Sequence, residues 1–353
     1  MPRRDFATLL VVLLVACSAP QVASDGPNSP APSASTWSGS PSLGPVERAA
    51  FPNCRLPYLK VSPGGLHSTG GFVEGSQGLW TADARGGITT SGQYLYVSEA
   101  TPALIGDGVR IEDVGGYDSA VGRWLPVRHT QIRNDGLAYA YAEPYKANPT
   151  DSFANSTRIH VVSVVDGGDR VIYSGAPRAV ISFEPEGIYV AVIKYDSDNT
   201  VSGLWRLDPT TGAGVEMSTA QVGWIEVMDH GIAWTDGGGI SGLARLDLSS
   251  GNQQTWANVG GLGWIWFVGL DSRGNALAAL FLFGPRTADG GLVAFRAPAV
   301  KVPIANVDFH QHSITDSHGT WLAGPDGIYL VDANDKVTKV SDETGGTIAG
   351  ACD

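Results

Sequence analysis

Apolar residues in this chain come in short bursts, cut off at regular intervals by glycine-ended turns. One motif recurs five times, a turn closing on Gly and followed at once by an apolar run. The copies are Asn134-Asp135-Gly136-LAYAYA, Pro185-Glu186-Gly187-IYVAVI, Asp229-His230-Gly231-IAWT, Ser272-Arg273-Gly274-NALAAL and Ser317-His318-Gly319-TWLA. The five glycines are 51, 44, 43 and 45 residues apart. A second apolar run with its own turn follows in each period: IHVVSVVDGGD (159–169), GLWRLDPTTG (203–212), GLARLDLSSG (242–251), GLVAFRAP (291–298) and GIYLVDANDK (327–336). Runs rich in β-branched and aromatic residues between Gly, Asp and Ser turns are hairpin signals. No helical period of useful length interrupts them.

Each period therefore holds two hairpins. Four strands in about 45 residues is the arithmetic of one blade of a β-propeller. Residues 55–128 supply further strands, among them GGFVEG (70–75), QYLYVSE (93–99) and GRWLPV (122–127). Taken as one enlarged blade, this segment makes an all-β, six-bladed β-propeller of four-stranded antiparallel blades. If it splits in two, there are seven. Two separate sandwiches would leave the regular period unexplained. Over residues 130–342 the turn-Gly-strand followed by LD-x-x-TG resembles the WD-repeat-like blades of TolB-type bacterial propellers, with Asn134-Asp135-Gly136 closest to that family's S-P-D-G turn. The resemblance implies the fold and a role in protein contact, and it transfers no catalytic residue.

The one uninterrupted departure from this rhythm is at the start. Arg3-Arg4 precede an apolar run from Phe6 to Ala16 broken only by Thr8. That run is too short to span a bilayer, which takes about 20 residues, but it suits a secretory signal. Leu14-Val15-Ala16-Cys17 resembles the lipobox of bacterial lipoproteins, which implies cleavage before Cys17 and its acylation; an ordinary signal peptide with an incidental cysteine is the alternative. Residues 1–16 are thus expected to be a lipoprotein signal peptide. Residues 17–45, dominated by Ser, Pro, Ala and Gly, read as a lipid-anchored disordered linker, and residues 46–353 as the propeller. The expected location is the extracytoplasmic face of a cell membrane, or an outer membrane where the source has one; Ser18, not Asp, follows the cysteine.

Composition narrows the partners. The net charge is −12 (23 basic against 35 acidic residues), and no block of consecutive basic residues occurs in the expected domain. Such a surface repels a phosphate backbone, so nucleic acid is not an expected partner. A monomer attached to a membrane through Cys17 is expected. The remaining cysteines, Cys54 and Cys352, stand at opposite ends of the folded region. Exported proteins keep disulfides, and a bond between these two would clasp the first and last blades of a closed ring. Two isolated buried thiols are the alternative.

Three groups of residues invite chemistry. Asp308, His310, His312, Asp316 and His318 include an H-x-H pair whose side chains share one face of a strand. However, His318 fills the position before the turn glycine, where other copies carry Asp135, Glu186, His230 and Arg273, so it reads as a solvated turn and no metal is expected. Trp224, Trp264 and Trp266 fall on first strands, near the axis. They can stack on a sugar or another flat apolar ligand, or fill the gaps between blades. Asp107, Glu112, Asp113 and Asp118 are scattered loop carboxylates, and a channel-bound cation would need several such groups from different blades to converge. G-x-S-x-G, H-E-x-x-H and P-loop motifs are absent, and no cofactor is expected. The expected function is a binding scaffold for protein or glycan, with a propeller hydrolase or lyase sited in the channel as the alternative.

Overall fold

The computed structural model describes residues 45–61, 67–91, 94–97, 103–104, 115–148, 150, 154–193, 201–219, 223–228, 231–235, 242–283, 290–306, 309 and 313–353. They form a six-bladed β-propeller built from small antiparallel sheets. Blade 3 comprises Arg178–Glu184, Gly187–Ile193, Val201–Leu207 and Gly214–Ser218. Blade 4 comprises Trp224–Met228, Ile232–Thr235, Gly242–Asp247 and Gln253–Asn258. Blade 5 comprises Gly263–Leu270, Ala276–Leu282, Gly291–Ala297 and Val300–Ala305. In each the strands pair in chain order, first strand innermost. Blade 2 is Ala138–Tyr145, Ser156–Ser163 and Asp169–Gly175. Its innermost place is held by Ile132, which bridges Tyr139.

The second turn of the repeat explains its own sequence. In Asp208-Pro-Thr-Thr-Gly212 the Asp208 carboxylate accepts the amides of Thr210 (2.8 Å) and Thr211 (2.7 Å), and in the next blade Asp247 accepts those of Ser249 (3.0 Å) and Ser250 (2.9 Å). The closing residues, Gly212 and Gly251, have φ of +72° and +71°, which a residue with a Cβ rarely adopts. Hydrogen bonds from the Ser249 hydroxyl and from the amide and hydroxyl of Ser250 hold the Asp247 carboxyl down at about 2.

Blades pack through apolar faces. Between blades 2 and 3, Ala138, Ala140 and Ile159 meet Val180, Phe183 and Ile188. Between blades 4 and 5, the buried Trp234 stacks on Phe267 at 6.3 Å and meets Trp256 edge-on at 4.8 Å. The segment expected to be one enlarged blade divides. Blade 1 contains Leu56–Val61, His67–Glu74 and Leu79–Ser91, extended outward by Tyr94–Val97 and Ala103–Leu104. A separate hairpin, Gly116–Asp118 with Arg123–Leu125, is wedged beside it. Tyr117 and Trp124 of the hairpin pack on Phe72 of blade 1, whereas Leu125 joins a cluster with Tyr139 and Val162 of blade 2.

Closure of the ring uses both ends of the folded region. Blade 6 consists of Ile314–Asp316, Gly319–Gly324, Gly327–Val331 and Val337–Ser341. Glu47–Arg48 adds a parallel strand to its outer edge, pairing with Thr338 and Lys339. The final strand, Gly346–Ile348, leaves blade 6 and becomes the innermost strand of blade 1, antiparallel to Leu56–Val61 with Tyr58 opposite Ile348. The Cys54–Cys352 disulfide forms, with a Cα–Cα distance of 5.6 Å across a sequence separation of 298 residues. Its placement corrects the expected one. Both cysteines flank strands of blade 1, because the final strand has already crossed into that sheet, and the bond locks the crossing instead of bridging two blades. Arg55 and Asp353 exchange backbone hydrogen bonds beside it (2.8 and 3.1 Å). Replacing both cysteines by serine is expected to lower stability by about 2–5 kcal/mol. For a domain of this size that shifts the melting temperature by roughly 3–8 °C. The ladder survives, so the protein still folds. A melting temperature indifferent to a reductant would show that the bond adds nothing to the crossing.

Candidate functional site

All first strands run in the same direction, so their starting ends lie on one face of the ring. Blade 5 presents an aromatic group there. Along Gly263–Leu270 exposed and buried positions alternate at the start, and Trp264 and Trp266 are 48% and 46% exposed. Alternate residues of a strand share a face. Trp264 stands opposite Phe281 and Trp266 opposite Ala279. Phe283, 47% exposed just past the second strand, meets Trp264 edge-on at 5.3 Å and 85°.

These rings are bare because blade 6 meets only the lower part of this strand within the described residues. The Ser313 amide donates to the Val268 carbonyl (2.7 Å) and the Thr315 hydroxyl to the Leu270 carbonyl (2.7 Å). Trp264 and Trp266 precede that level. Below it the same face is sealed by Val268, Leu277, Phe309 and Tyr329. Trp124, Trp234 and Trp321, by contrast, are fully buried. The exposure of Trp264 and Trp266 therefore departs from the packing role open to every tryptophan here. Trp224 begins the first strand of blade 4 opposite Thr235, the fourth residue of its partner strand. Trp266 likewise faces the fourth residue of its own partner strand, so the two occupy equivalent repeat positions.

The acidic and histidine candidates resolve differently. Asp308, His310 and His312 lie outside the described residues, as do Asp107, Glu112 and Asp113. Asp316 is committed to architecture. Its carboxylate accepts the Trp321 indole N–H (2.7 Å), the Cys352 amide (2.8 Å) and the His318 amide (2.7 Å), tying blade 6 to the disulfide. His318 lies in the turn before Gly319 and packs against Trp321. Asp118 is buried in the inserted hairpin and accepts the Val121 amide (3.2 Å). Among the described residues no group of three or more His, Cys, Asp or Glu is placed to hold a metal ion.

One polar cluster had no sequence signal strong enough to single it out. On blade 2, His160 lies opposite Tyr141, and Arg158 opposite Glu143. The imidazole stacks on the Tyr141 ring at 4.5 Å, with Nδ1 2.8 Å from Asp169 and Nε2 3.0 Å from Glu143. The Tyr141 hydroxyl donates to Asp169 (3.2 Å) and Arg158 to Glu143 (3.1 Å). Burial raises the Glu143 carboxyl, but the hydrogen bonds from His160 and Arg158 outweigh it and hold the group below its usual range. Burial also pushes the Tyr141 hydroxyl well above its ordinary value. Both ring nitrogens of His160 thus face carboxylates of its own blade. The cluster is a cross-strand brace, visible only once the register of two strands is known.

No protein-family model and no curated protein matches the chain. Several solved structures resemble it in layout. TolB from Acinetobacter baumannii is 12% identical with a TM-score of 0.47, covering 84% of this chain and 67% of that one. Virginiamycin B lyase from Staphylococcus aureus is 11% identical with a TM-score of 0.43, covering 84% and 88%. A chain of a nidogen–laminin complex is 10% identical with a TM-score of 0.42, covering 84% and 98%. The six sheets themselves carry the assignment of fold.

Proposed function

We propose that this chain is an exported lipoprotein, held at the extracytoplasmic face of a membrane through Cys17, whose propeller serves as a binding scaffold for a protein or glycan. The signal-like residues 1–16 and the lipobox-like Leu14-Val15-Ala16-Cys17 support the attachment. The Ser/Pro/Ala-rich linker of residues 17–45 would let the propeller stand off the membrane. The observation that carries the binding role is the grouping of three exposed aromatic side chains, Trp264, Trp266 and Phe283, on blade 5. Large exposed aromatic side chains grouped on one surface mark contact sites.

Fractionation of cells expressing the chain tests the attachment. Wild-type protein is expected in the membrane fraction, released only by detergent, with Cys17→Ser moving it to the soluble extracytoplasmic fraction. Equal partition of the two would overturn the lipid anchor and leave the propeller's binding role to be judged on its own.

A further inference from the structure

We infer that the exposed aromatic face of blade 5 is a platform for an uncharged carbohydrate chain, with Trp264 and Trp266 each stacking on a sugar ring. This inference rests on the scaffold reading above and names its ligand class. Size is the first argument. Three half-exposed rings, taken from full side-chain areas of about 150–250 Å² each, offer on the order of 300 Å². A stable protein interface takes about 800 Å² from each partner. A sugar ring covers far less, and an aromatic face of this size accommodates two.

Geometry is the second. Trp264 and Trp266 are two residues apart on one strand and project from the same face, about 6.8 Å apart at the backbone. That places them under neighbouring units of one oligosaccharide. Phe283, edge-on against Trp264, restrains that ring before a ligand arrives, which reduces the ordering cost of binding. Neither indole N–H donates a hydrogen bond within the described residues, so each ring keeps an apolar face for sugar C–H groups and a donor at its edge for a hydroxyl. Charge is the third argument. A protein of net charge −12 disfavours polyanionic glycans, and no lysine, arginine or acidic side chain lies on the strand Gly263–Leu270 itself. A neutral chain satisfies all three conditions.

The test is titration calorimetry of the full chain with chitotetraose, cellotetraose and maltotetraose, repeated with Trp264→Ala, Trp266→Ala, the double variant and Trp266→Phe. Binding of at least one probe is expected, with a loss of about tenfold in each single alanine variant. The double variant should bind none, and Trp266→Phe should retain most of the affinity. Because both side chains are half-exposed, each variant should keep a single cooperative melt with a midpoint lowered by only a few degrees, which separates loss of the platform from loss of fold. Failure of wild-type protein to bind any of the three, or binding unaffected by the double substitution, would overturn the inference. Crosslinking of membrane-attached protein in its own cells separates the two readings. A protein partner lost in the double variant, without oligosaccharide binding, would sink the carbohydrate platform and keep the scaffold. Absence of both would sink both.

Discussion

Deleting residues 346–353 should leave a chain without a cooperative unfolding transition. Those residues supply the innermost strand of blade 1, the buried side chains of Ile348 and Ala349, and Cys352. Loss of the disulfide alone is worth about 2–5 kcal/mol. Burial of Ile348 adds about 1.5–3 kcal/mol. Val73, Trp321 and Val340 of the same core lose a wall, and Leu56–Val61 becomes an open edge able to pair with another chain. Together these approach the whole stability of an ordinary domain, about 5–15 kcal/mol. Circular dichroism melts and size-exclusion chromatography should show a broad or absent transition and soluble aggregates. A truncated protein that melts sharply within a few degrees of wild type would mean that the final strand is an ornament on a ring already closed by Glu47–Arg48.

Replacement of Asp271 comes second in expected effect. This carboxylate sits almost fully buried in the turn between the first two strands of blade 5. It accepts the amides of Arg273 (2.9 Å) and Asn275 (2.8 Å). It also pairs with the Arg296 guanidinium, which reaches across to Asp335 of blade 6, and Arg273 contacts Asp335 as well. Asp271→Ala strands Arg296 beside a vacated turn and removes a pin between two blades. Breaking one half of a buried pair costs about 3–5 kcal/mol, and urea unfolding at pH 7 should show a loss near the lower figure because Arg296 keeps Asp335. Burial raises the Asp271 carboxyl, yet the hydrogen bonds from Arg296, Asn275 and Arg273 prevail and leave it below its ordinary value. A folded-state value lower than the unfolded one stabilises fully above the unfolded value, about 3.9, and that contribution disappears as pH falls through the folded value. The gap between wild type and Asp271→Asn should therefore be constant near neutrality and shrink below about pH 4. A gap that stays constant down to pH 2 would assign the stability to shape alone.

The repeat was legible because its cues are local. A glycine held at positive φ, as at Gly212 and Gly251, and an aspartate that binds amides two and three residues on, as at Asp208 and Asp247, act within one turn and so leave a mark in sequence. The period of the turn glycines followed directly and marked five blades, whereas residues 55–128 left the total at six or seven until the sheets were placed. The cysteine pair was legible for a different reason. Cys54 and Cys352 stand at opposite ends of the folded region, and a closed ring is the architecture that lets those ends meet.

The crossing of the final strand was not legible. Gly346-Thr347-Ile348 has no alternation and too few residues to announce a strand, and its partner lies nearly the full domain away in sequence. The hairpin wedged beside blade 1 was read as part of a larger blade for the same reason. Its aromatic residues fit either arrangement until Phe72 and Tyr139 are placed around them. His160 with Glu143 and Asp169, and Asp271 with Arg296 and Asp335, depend on register between strands, which side-chain identity does not specify.

The tryptophans divide the two kinds of information cleanly. By itself the sequence determined that this chain makes repeated four-stranded blades, that Cys54 and Cys352 are placed to pair, and that Trp264 and Trp266 share one face of one strand, because turn chemistry and a two-residue period are short-range properties. Only the tertiary structure decided that Trp234 and Trp321 are swallowed by neighbouring blades while Trp264 and Trp266 stay half-exposed. Burial depends on what the next blade brings alongside, and that is set by packing across the ring, not by any residue's own neighbours in the chain.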